Sequence, residues 1–446
     1  MMNCTNMATK NSIRITLSED EIPKKYYNLA ADLKGLAPPL HPGTKEPVTA
    51  ADLAPVFTKS IIKQEMSQER YIDIPDEVRE KYVLMNRPTF LQRAARLEKY
   101  LKTPAKIYFK REDMSPLGSH KGNSALAQAY YSRKDGIRTI TTETGAGQWG
   151  TALALASNMF EIDCTVFMVR VSFDQKPFRR TLMQTYGAKV HASPSPITEY
   201  GRKVLKEHPN TSGSLGIAVS EAIEVAVKDP NVKYSIGSVS NSVMMHQTVI
   251  GQEVLEQMKK AEIVPDYMVG CVGGGSNFAG FTFPMIREKL LGRSQCQLVA
   301  AEPMAAASLT EGEYRYDFGD TAGTTPLFKM YTLGHEFIPS AIHAGGLRYH
   351  GMSPLVSEAY NQGLISARAY DQTETFEAGV LFARTEGIIP APESMHAIKA
   401  AIEIALEAKA KNEEKTIVFC LSGHGLLDLA GYERFISGSL SSSKMC

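Results

Sequence analysis

The sequence predicts an open α/β protein with two parallel-sheet lobes and a cleft between them. Short runs of apolar or β-branched residues recur along the chain, each followed by a glycine-containing loop and then by an amphipathic helix. Strands that alternate with helices in this way belong to parallel sheets, whose buried strands are continuously apolar. At 446 residues, the chain is long enough for two such lobes.

Four segments are expected along the chain. Residues 1–85 include Pro38-Pro39 and Pro42-Gly43, and because proline interrupts regular elements they are expected to form an irregular N-terminal arm. Residues 86–235 and 236–436 each repeat the strand, loop and helix pattern, and are predicted to be the N-terminal and the C-terminal lobe. The serine-rich residues 437–446 are expected to form a disordered tail.

The individual elements follow from this pattern in chain order. The expected strands are 106–110, 139–142, 165–170, 267–272, 298–301 and 416–421, and the expected helices are 91–101, 125–131, 151–159, 177–186 and 278–290. Ser119 or Asn123 is expected to cap the helix over 125–131, which would hold Lys121 at the start of that helix.

Composition argues against several classes of function. A formal net charge of +1 leaves no strong field to attract nucleic acid, and no apolar run approaches the roughly 18 residues that cross a bilayer. The six cysteines form no CxxC pair, so they are predicted to be reduced thiols, with neither disulfides nor a zinc site. The polar N-terminus lacks the apolar core of a secretory signal, and a cytoplasmic location is expected.

Lys121 is the first candidate catalytic residue. It lies between His120 and Gly122, before a run of helix-forming residues. Partial burial beside helix-end N–H groups would favour the neutral amine that traps a carbonyl group, so Lys121 is interpreted as a Schiff-base lysine. The alternative is an ordinary solvated surface lysine.

A glycine triplet between a predicted strand and a predicted helix suggests a phosphate site. Converging backbone N–H groups at a helix start bind a phosphate dianion. The pattern fits neither GxGxxG nor a nucleotide P-loop, so a single phosphate is favoured over a dinucleotide, with a tight turn as the alternative. The predicted cup consists of Gly273, Gly274, Gly275, Ser276 and Asn277.

Two further strand ends carry polar groups. Glu143 precedes a loop of small residues and is a candidate general acid–base, with a solvated loop acid as the alternative. The loop N–H groups suit a substrate carboxylate; its residues are Thr144, Gly145, Ala146, Gly147 and Gln148. Ser422, after the last strand, can hydrogen-bond a ring nitrogen without forcing that nitrogen to stay protonated.

Together, an amine, a phosphate cup, a carboxylate loop and a neutral pyridine partner suit pyridoxal phosphate carrying an amino acid.

Longer motifs make the sequence similar to a known family. They are Ser119-His-Lys-Gly-Asn123, Glu143-Thr-Gly-Ala-Gly-Gln-Trp-Gly150, Val169-Arg-Val-Ser172, Gly273-Gly-Gly-Ser-Asn277, Tyr314-Arg-Tyr-Asp-Phe-Gly-Asp320, His343-Ala-Gly-Gly-Leu-Arg-Tyr-His-Gly351, Glu386-Gly-Ile-Ile-Pro-Ala391 and Ser422-Gly423. Over residues 12–435 the chain resembles the tryptophan synthase β chains, fold-type II pyridoxal-phosphate enzymes, and within them the stand-alone second branch.

The resemblance implies roles for the candidate residues. Lys121 would form the Schiff base and shuttle protons, His120 and Asn123 would bind the cofactor, with Asn123 facing its 3′ oxygen, and Ser422 would meet the pyridine nitrogen. Glu143 would assist loss of the β-leaving group and position indole. The implied reaction joins L-serine and indole to give L-tryptophan and water. A homodimer and a monovalent cation are further family expectations, and docking of an α chain is left open.

Four positions depart from the pattern that this family usually shows. They are Phe90, Arg111, Gly122 and Ser242. These departures leave the donor and the acceptor open: O-phosphoserine, which the extra charge of Arg111 would suit, another nucleophile, or simple deamination of serine. A non-catalytic binding module with a glycine-rich loop is the alternative from another class.

Overall fold

The computed structural model describes residues 12–442. Its strands are β1 Arg14–Ile15, β2 Lys25–Tyr27, β3 Tyr71–Asp73, β4 Leu91–Arg93, β5 Lys106–Arg111, β6 Thr139–Thr144, β7 Asp163–Val169, β8 Lys189–Ser193, β9 Val232–Tyr234, β10 Tyr267–Cys271, β11 Gln297–Pro303, β12 Glu313–Phe318, β13 Leu327–Thr332, β14 Ser366–Tyr370 and β15 Thr416–Leu421. Its α-helices are α1 Ala50–Leu53, α2 Lys59–Glu65, α3 Asp76–Leu84, α4 Ala95–Leu101, α5 Gly122–Lys134, α6 Gln148–Met159, α7 Arg170–Gln175, α8 Pro177–Thr185, α9 Glu199–Glu207, α10 Leu215–Lys228, α11 Asn241–Gln247, α12 Val249–Lys260, α13 Ser276–Leu290, α14 Ser308–Glu311, α15 Pro354–Asn361, α16 Gln372–Glu386, α17 Pro392–Lys411 and α18 Leu429–Ile436. Among these residues, no helix combines the length and apolarity of a membrane span.

The larger sheet has seven strands in the order β1-β4-β5-β15-β10-β11-β14. Strands β5, β15, β10, β11 and β14 run parallel to one another. At the other edge, β4 pairs antiparallel with both β5 and β1. Alternate residues of its central strands enter two separate apolar clusters: Met268 and Val418 face one, and Val269 and Phe419 face the other. Helices therefore cover both faces, as the continuously apolar strands predict.

The smaller sheet has four parallel strands in the order β8-β7-β6-β9. All four come from residues 139–234, a segment inserted between β5 and β10 of the larger sheet. The predicted open α/β architecture with two parallel-sheet lobes is confirmed. The predicted boundaries differ from the sheets, because β4 and β5 lie within residues 86–235 yet belong to the larger sheet.

The helix predicted over 91–101 is wrong in its first part. Leu91 to Arg93 form strand β4, and only Ala95–Leu101 are helical. Leu91 pairs with Lys110 on β5 and also with Ile15 on β1, so tertiary strand pairing overrides the local apolar pattern.

The N-terminal segment is more regular than its prolines suggest. Within residues 12–85 it forms three strands and three α-helices, and Ile15, Tyr26 and Tyr82 are fully buried. The expectation of an irregular arm is therefore wrong for these strands and helices. Pro38, Pro39 and Pro42 lie instead in the connection between β2 and α1.

The C-terminal tail follows α18 without further regular structure. Gln372 Nε2 donates to the Ser441 carbonyl at 2.7 Å, and Ser442 Oγ donates to Asp371 Oδ2 at 2.9 Å. Residues 437–442 thus pack against the start of α16, contrary to the predicted disorder, and residues 443–446 lie outside the described residues.

Candidate active site

Lys121 lies at the start of α5, where the predicted side-chain caps are not used. Lys121 itself occupies the N-cap position with helical torsions (φ −58°, ψ −29°), and no side chain accepts a bond from the first turn. Asn123 is already the second helical residue, and the Ser119 hydroxyl has no partner within the described residues. A capping side chain requires an extended backbone, so the capping prediction is wrong, although Lys121 is held at the helix start as expected.

The Lys121 amine points towards the end of the smaller sheet and the start of α13. Its Nζ donates to the Gly237 carbonyl at 2.7 Å and to Ser276 Oγ at 3.2 Å. Burial lowers the pKa of Lys121 to about 8, although the Glu143 carboxylate opposes the shift. The neutral amine is therefore populated near physiological pH, as a minority beside the protonated form.

The glycine triplet forms a cradle of backbone N–H groups between β10 and α13. In the described part of the chain, no acceptor bonds the N–H groups of residues 273–277. Gly275 adopts φ +104°, and a Cβ at Gly274 would lie 2.4 Å from Ser238 Oγ, so side chains would distort this turn. Asn277 Oδ1 is also buried without a partner. Unpaired donors at a helix start are what a phosphate dianion requires.

Hydroxyl and imidazole groups lie around the same small cavity as this cradle. Ser422 Oγ lies 2.7 Å from Ser394 Oγ and 3.5 Å from Cys271 Sγ. The His120 ring lies between the Ser422 carbonyl and Ser276 Oγ, at 3.3 Å from each, and burial lowers its pKa to about 3. The His120 imidazole is therefore neutral. Separately, a bound pyridine ring whose nitrogen bonds the Ser422 hydroxyl would not be forced to stay protonated.

Glu143 lies near the end of β6 and is held by donors from β9 and the loop that follows it. Tyr234 donates its hydroxyl to Oε2 at 2.5 Å, and the Gly237 N–H donates to Oε1 at 3.2 Å, whereas the Thr142 hydroxyl gives its one proton to the Ser235 carbonyl. Burial raises the pKa of Glu143 above its usual value, which the bond from Tyr234 partly opposes. The carboxyl group is thus suited to carry a proton.

The loop after Glu143 leads directly into α6. The N–H groups of Gly145, Ala146 and Gly147 have no acceptor among the described residues, whereas Thr144 Oγ1 accepts from the Gly150 N–H at 3.1 Å. Gly147 adopts φ +98°, which turns the loop into the helix. Free N–H groups at a helix start suit a carboxylate.

Two cavities have Lys121 in their walls. The smaller, of about 40 Å³, lies between the glycine cradle, Ser422 and Glu393. The larger, of about 220 Å³, extends from Lys121 and Glu143 into a chamber with mainly apolar walls. These walls include Phe57, Ile61, Trp149, Leu215 and Val219. Part of the N-terminal segment therefore forms a wall of the site.

Asn123 does not join the other predicted site residues. Its Oδ1 accepts from Arg87 NH1 at 2.9 Å, and its Nδ2 donates to Gln247 Oε1 at 3.0 Å and to Glu112 Oε2 at 3.3 Å. It lines neither cavity, and neither does Gly147, whereas the other predicted site residues line one or both. Those residues are Lys121, His120, Glu143, Thr144, Gly145, Ala146, Gln148, Gly273, Gly274, Gly275, Ser276, Asn277 and Ser422.

The structure adds site residues that the sequence analysis missed. Glu393, the second residue of α17, accepts from Gln148 Nε2 at 3.0 Å and from the Gly346 N–H at 2.8 Å. Gly237 and Tyr234 approach from the short strand β9 and the loop that follows it. Glu393 could have been predicted, because an acidic residue directly after a proline is typical of a helix start. Tyr234 could not, because β9 has only three residues, too few for a recognisable strand pattern.

The four departures from the family pattern have different surroundings. Arg111 donates to both oxygens of Asp113 and to Gln92, away from both cavities, and the Arg14 guanidinium lies 5.2 Å from the Phe90 ring centre. Gly122 faces Met85, whose Cε would lie 2.7 Å from an added Cβ. Ser242 lines the larger cavity and donates to Glu65 Oε2 at 2.8 Å.

The residues that are present fit pyridoxal phosphate. The cradle supplies unpaired donors for one phosphate, the amine lies 3.2 Å from the Ser276 hydroxyl within it, and Ser422 offers a neutral partner to a ring nitrogen. The fold and this site define a pyridoxal-phosphate-dependent enzyme of fold type II.

Comparisons with known proteins agree with this class. The family model described as pyridoxal-phosphate dependent enzyme matches residues 83–423. "Tryptophan synthase beta chain 2" of Methanosarcina mazei is 56% identical over 439 residues, covering 98% of this chain and 99% of that protein. "Tryptophan synthase beta chain" of Thermococcus onnurineus is 56% identical over 429 residues, covering 96% and 97%. A solved structure of processed threonine deaminase isoform 2 from Solanum lycopersicum superposes with a TM-score of 0.59 at 19% identity, covering 82% of this chain and 94% of that one, and so shares the fold. The chain therefore belongs to the pyridoxal-phosphate-dependent enzymes, and within them to the tryptophan synthase β chain family.

Proposed function

We propose that this chain condenses L-serine with indole to form L-tryptophan and water. The observation that carries the proposal is the single chamber that joins the Lys121 amine and the Glu143 carboxyl group to apolar walls. A planar, largely apolar nucleophile such as indole fits these walls, and the names of the relatives support this pair of substrates.

Lys121 is the proton carrier of the proposed reaction. When bound, pyridoxal phosphate supplies the conjugated system that stabilises negative charge at the α carbon of the amino acid. Neutral Nζ of Lys121 takes the α proton of serine and returns a proton to the same carbon after the new C–C bond has formed. Its pKa of about 8 keeps both states populated at neutral pH.

Glu143 is the proposed acid and base at the β carbon of serine. The serine hydroxyl needs a proton to leave as water, and the raised pKa of Glu143 allows the carboxyl group to give it. The resulting carboxylate then accepts the N–H of indole and orients carbon 3 towards the β carbon.

The remaining groups bind the cofactor and the amino acid and orient them. The N–H groups of residues 273–277 hold the phosphate, and those of Gly145 to Gly147 hold the carboxylate of the amino acid. Ser422 bonds the pyridine nitrogen, and His120 supports the cradle as a neutral ring. Asn123, which was expected to face the 3′ oxygen, is given no contact with the cofactor, because Arg87, Glu112 and Gln247 occupy its side chain.

Serine is proposed as the donor rather than O-phosphoserine. A second phosphate dianion would need a cationic partner beside the leaving group. Among the described residues that line the two cavities there is no arginine, and Arg111 is bonded to Asp113 and Gln92.

The test supplies the cofactor-loaded protein with L-serine or O-phosphoserine, with and without indole, and identifies the products by mass spectrometry. Tryptophan from serine and indole is the expected result. Pyruvate release that outruns indole consumption would indicate serine deamination instead, and faster phosphate release would indicate O-phosphoserine. Absence of tryptophan with both donors would overturn the proposal.

The proposal extends to assembly and location. The chain is proposed to act as a homodimer, which the family resemblance supports. A reducing compartment such as the cytoplasm is proposed because Cys164, Cys271, Cys296 and Cys420 are buried free thiols. Sedimentation equilibrium of the loaded protein, alone and mixed with a tryptophan synthase α chain, measures the mass. A stable monomer would contradict the dimer.

A further inference from the structure

We propose that Tyr234 is a positioning residue that fixes the Glu143 carboxyl group and sets its affinity for a proton. This inference rests on the proposed function, because Glu143 matters only if it transfers a proton at the β carbon. Nothing in the family resemblance pointed to Tyr234, which the structure alone brings to Glu143.

The geometry assigns different tasks to the two oxygens of Glu143. Oε2 accepts the short bond from the Tyr234 hydroxyl, at 2.5 Å. Oε1 accepts a longer bond from the Gly237 N–H, at 3.2 Å. The short bond from the phenol anchors Oε2, and because a carboxylate oxygen has capacity for two bonds, Oε1 keeps a lone pair for the substrate.

The surroundings of Tyr234 keep its hydroxyl a hydrogen-bond donor. Its side chain is 3% exposed at the end of β9, and both burial and the neighbouring carboxylate raise its own pKa well above the usual value. The phenol therefore keeps its proton near neutral pH. A short bond from a neutral hydroxyl to a carboxylate stabilises the charged form of the acid.

Other titratable groups also act on this pair. Lys121 approaches from the start of α5, and Asp320 and Tyr349 approach from the loop after β12 and from the segment before α15. These groups are the same in the wild type and in a Tyr234 variant. A difference between the two proteins therefore reports the Tyr234 hydroxyl.

The proposed reaction needs both states of Glu143 in turn. Burial alone would keep the acid protonated and hinder its second task, acceptance of the indole N–H. The Tyr234 hydroxyl offsets this effect. Its removal is expected to raise the pKa of Glu143 by about one unit, the size of one hydrogen bond to a charged group.

The experiment compares wild type with Tyr234→Phe, each loaded with cofactor. Difference infrared spectra against Glu143→Gln follow the Glu143 carboxyl band during a pH titration, which does not depend on turnover. The acid limb of the pH profile of tryptophan formation is measured in parallel. Both midpoints are expected to move upward by about one pH unit in Tyr234→Phe.

The matched control is Tyr370→Phe. Tyr370 also donates its hydroxyl to a glutamate, Glu403, at 2.7 Å, but it lines neither cavity among the described residues. Loss of this half-buried tyrosine–glutamate bond should leave both midpoints unchanged. An equal shift in both variants would mean that the effect is general, and would overturn the proposal.

An unchanged Glu143 titration in Tyr234→Phe would also overturn it. If that variant folds poorly, 3-fluorotyrosine at position 234 keeps the size of the ring and strengthens the donor, so the midpoint should move downward. The infrared result is independent of substrate. A shifted Glu143 band in a protein whose wild type makes no tryptophan would contradict the proposed function while the Tyr234–Glu143 pairing stands.

Discussion

Arg87 NH1 donates to Asn123 Oδ1 at 2.9 Å, two residues beyond Lys121 in the chain. The same guanidinium pairs with Glu112 and Glu253, and Lys110 pairs with Glu253 at 2.7 Å. All of these side chains are buried, so two cations and two anions balance each other beneath the first turn of α5. Tyr82 also donates to the Asn123 carbonyl at 2.8 Å. The start of the Lys121 helix is thus held through both the side chain and the backbone of Asn123.

Replacing Arg87 by Met should destabilise the protein strongly. The change leaves Glu112 and Glu253 buried with only Lys110 to balance them, and breaking a buried pair in this way costs about 3–5 kcal/mol. Urea denaturation measures the change in the free energy of unfolding. Arg79→Met is the control, because the Arg79–Asp76 pair lies at the surface and should matter by less than about 1 kcal/mol. A loss at Arg87 no larger than that at Arg79 would contradict the network.

This network also explains what the sequence could not predict. In a helix, the directions of side chains two positions apart differ by about 200° around the helix axis. The Asn123 side chain therefore lies on the opposite side of the helix from Lys121. Its partners Arg87, Glu112 and Gln247 are distant in sequence, and no local pattern indicates that they meet. Adjacency to Lys121 therefore did not indicate which side chains Asn123 contacts.

Local patterns predicted best where one strand leads directly into one loop. Strand β15 begins and ends at the predicted residues, 416 and 421, and the glycine cradle after β10 lies where the sequence indicated. Such strands are buried on both faces and their apolar runs have clear limits. By contrast, the three-residue strand β4 depends on partners on β1 and β5, and was predicted as helix.

Reductive trapping should label Lys121 alone. Borohydride treatment of the loaded protein, followed by peptide mapping, is expected to find the pyridoxyl group on this residue, the amine that lines both cavities. Lys110 is fully buried on Glu253, Thr89 and Gln257, and Lys176 donates to Asp428 at 2.6 Å. A label on either of these lysines would contradict the site.

The rate of cofactor uptake by the cofactor-free protein should rise with pH and level off above about pH 8. The neutral amine is the nucleophile, and burial lowers the pKa of Lys121 to about 8. Stopped-flow absorbance measures the rate. The Glu143 carboxylate raises this pKa, so in Glu143→Gln the midpoint should fall below its wild-type value. A wild-type rate that keeps rising through pH 10 would show that Lys121 behaves as an exposed lysine.

Replacing Glu143 by Ala should retain the cofactor but slow tryptophan formation. Proton transfer by a positioned side chain contributes about 100-fold to 10,000-fold, and a loss within this range is expected. The absorbance of the bound cofactor and the rate with serine and indole separate the two effects. Glu403→Ala, on the outer part of α17, should stay within about twofold of wild type. Full activity of Glu143→Ala would remove this residue from the mechanism.

Replacing Gly275 by Ala should weaken cofactor binding, because this glycine shapes the phosphate cradle. Its φ of +104° disfavours any side chain by about 1–2 kcal/mol, and an added Cβ would lie 3.0 Å from Val356 Cγ2. Gly292→Ala is the matched control: Gly292 also has a positive φ, of +71°, but an added Cβ there meets nothing within 4 Å. Both variants should lose stability in urea, since both carry backbone strain. Only Gly275→Ala should lose affinity for pyridoxal phosphate, about tenfold in equilibrium dialysis, because a loss of about 1.4 kcal/mol at the cradle is a factor of ten. Equal affinities in the two variants would mean that residues 273–277 do not hold the phosphate.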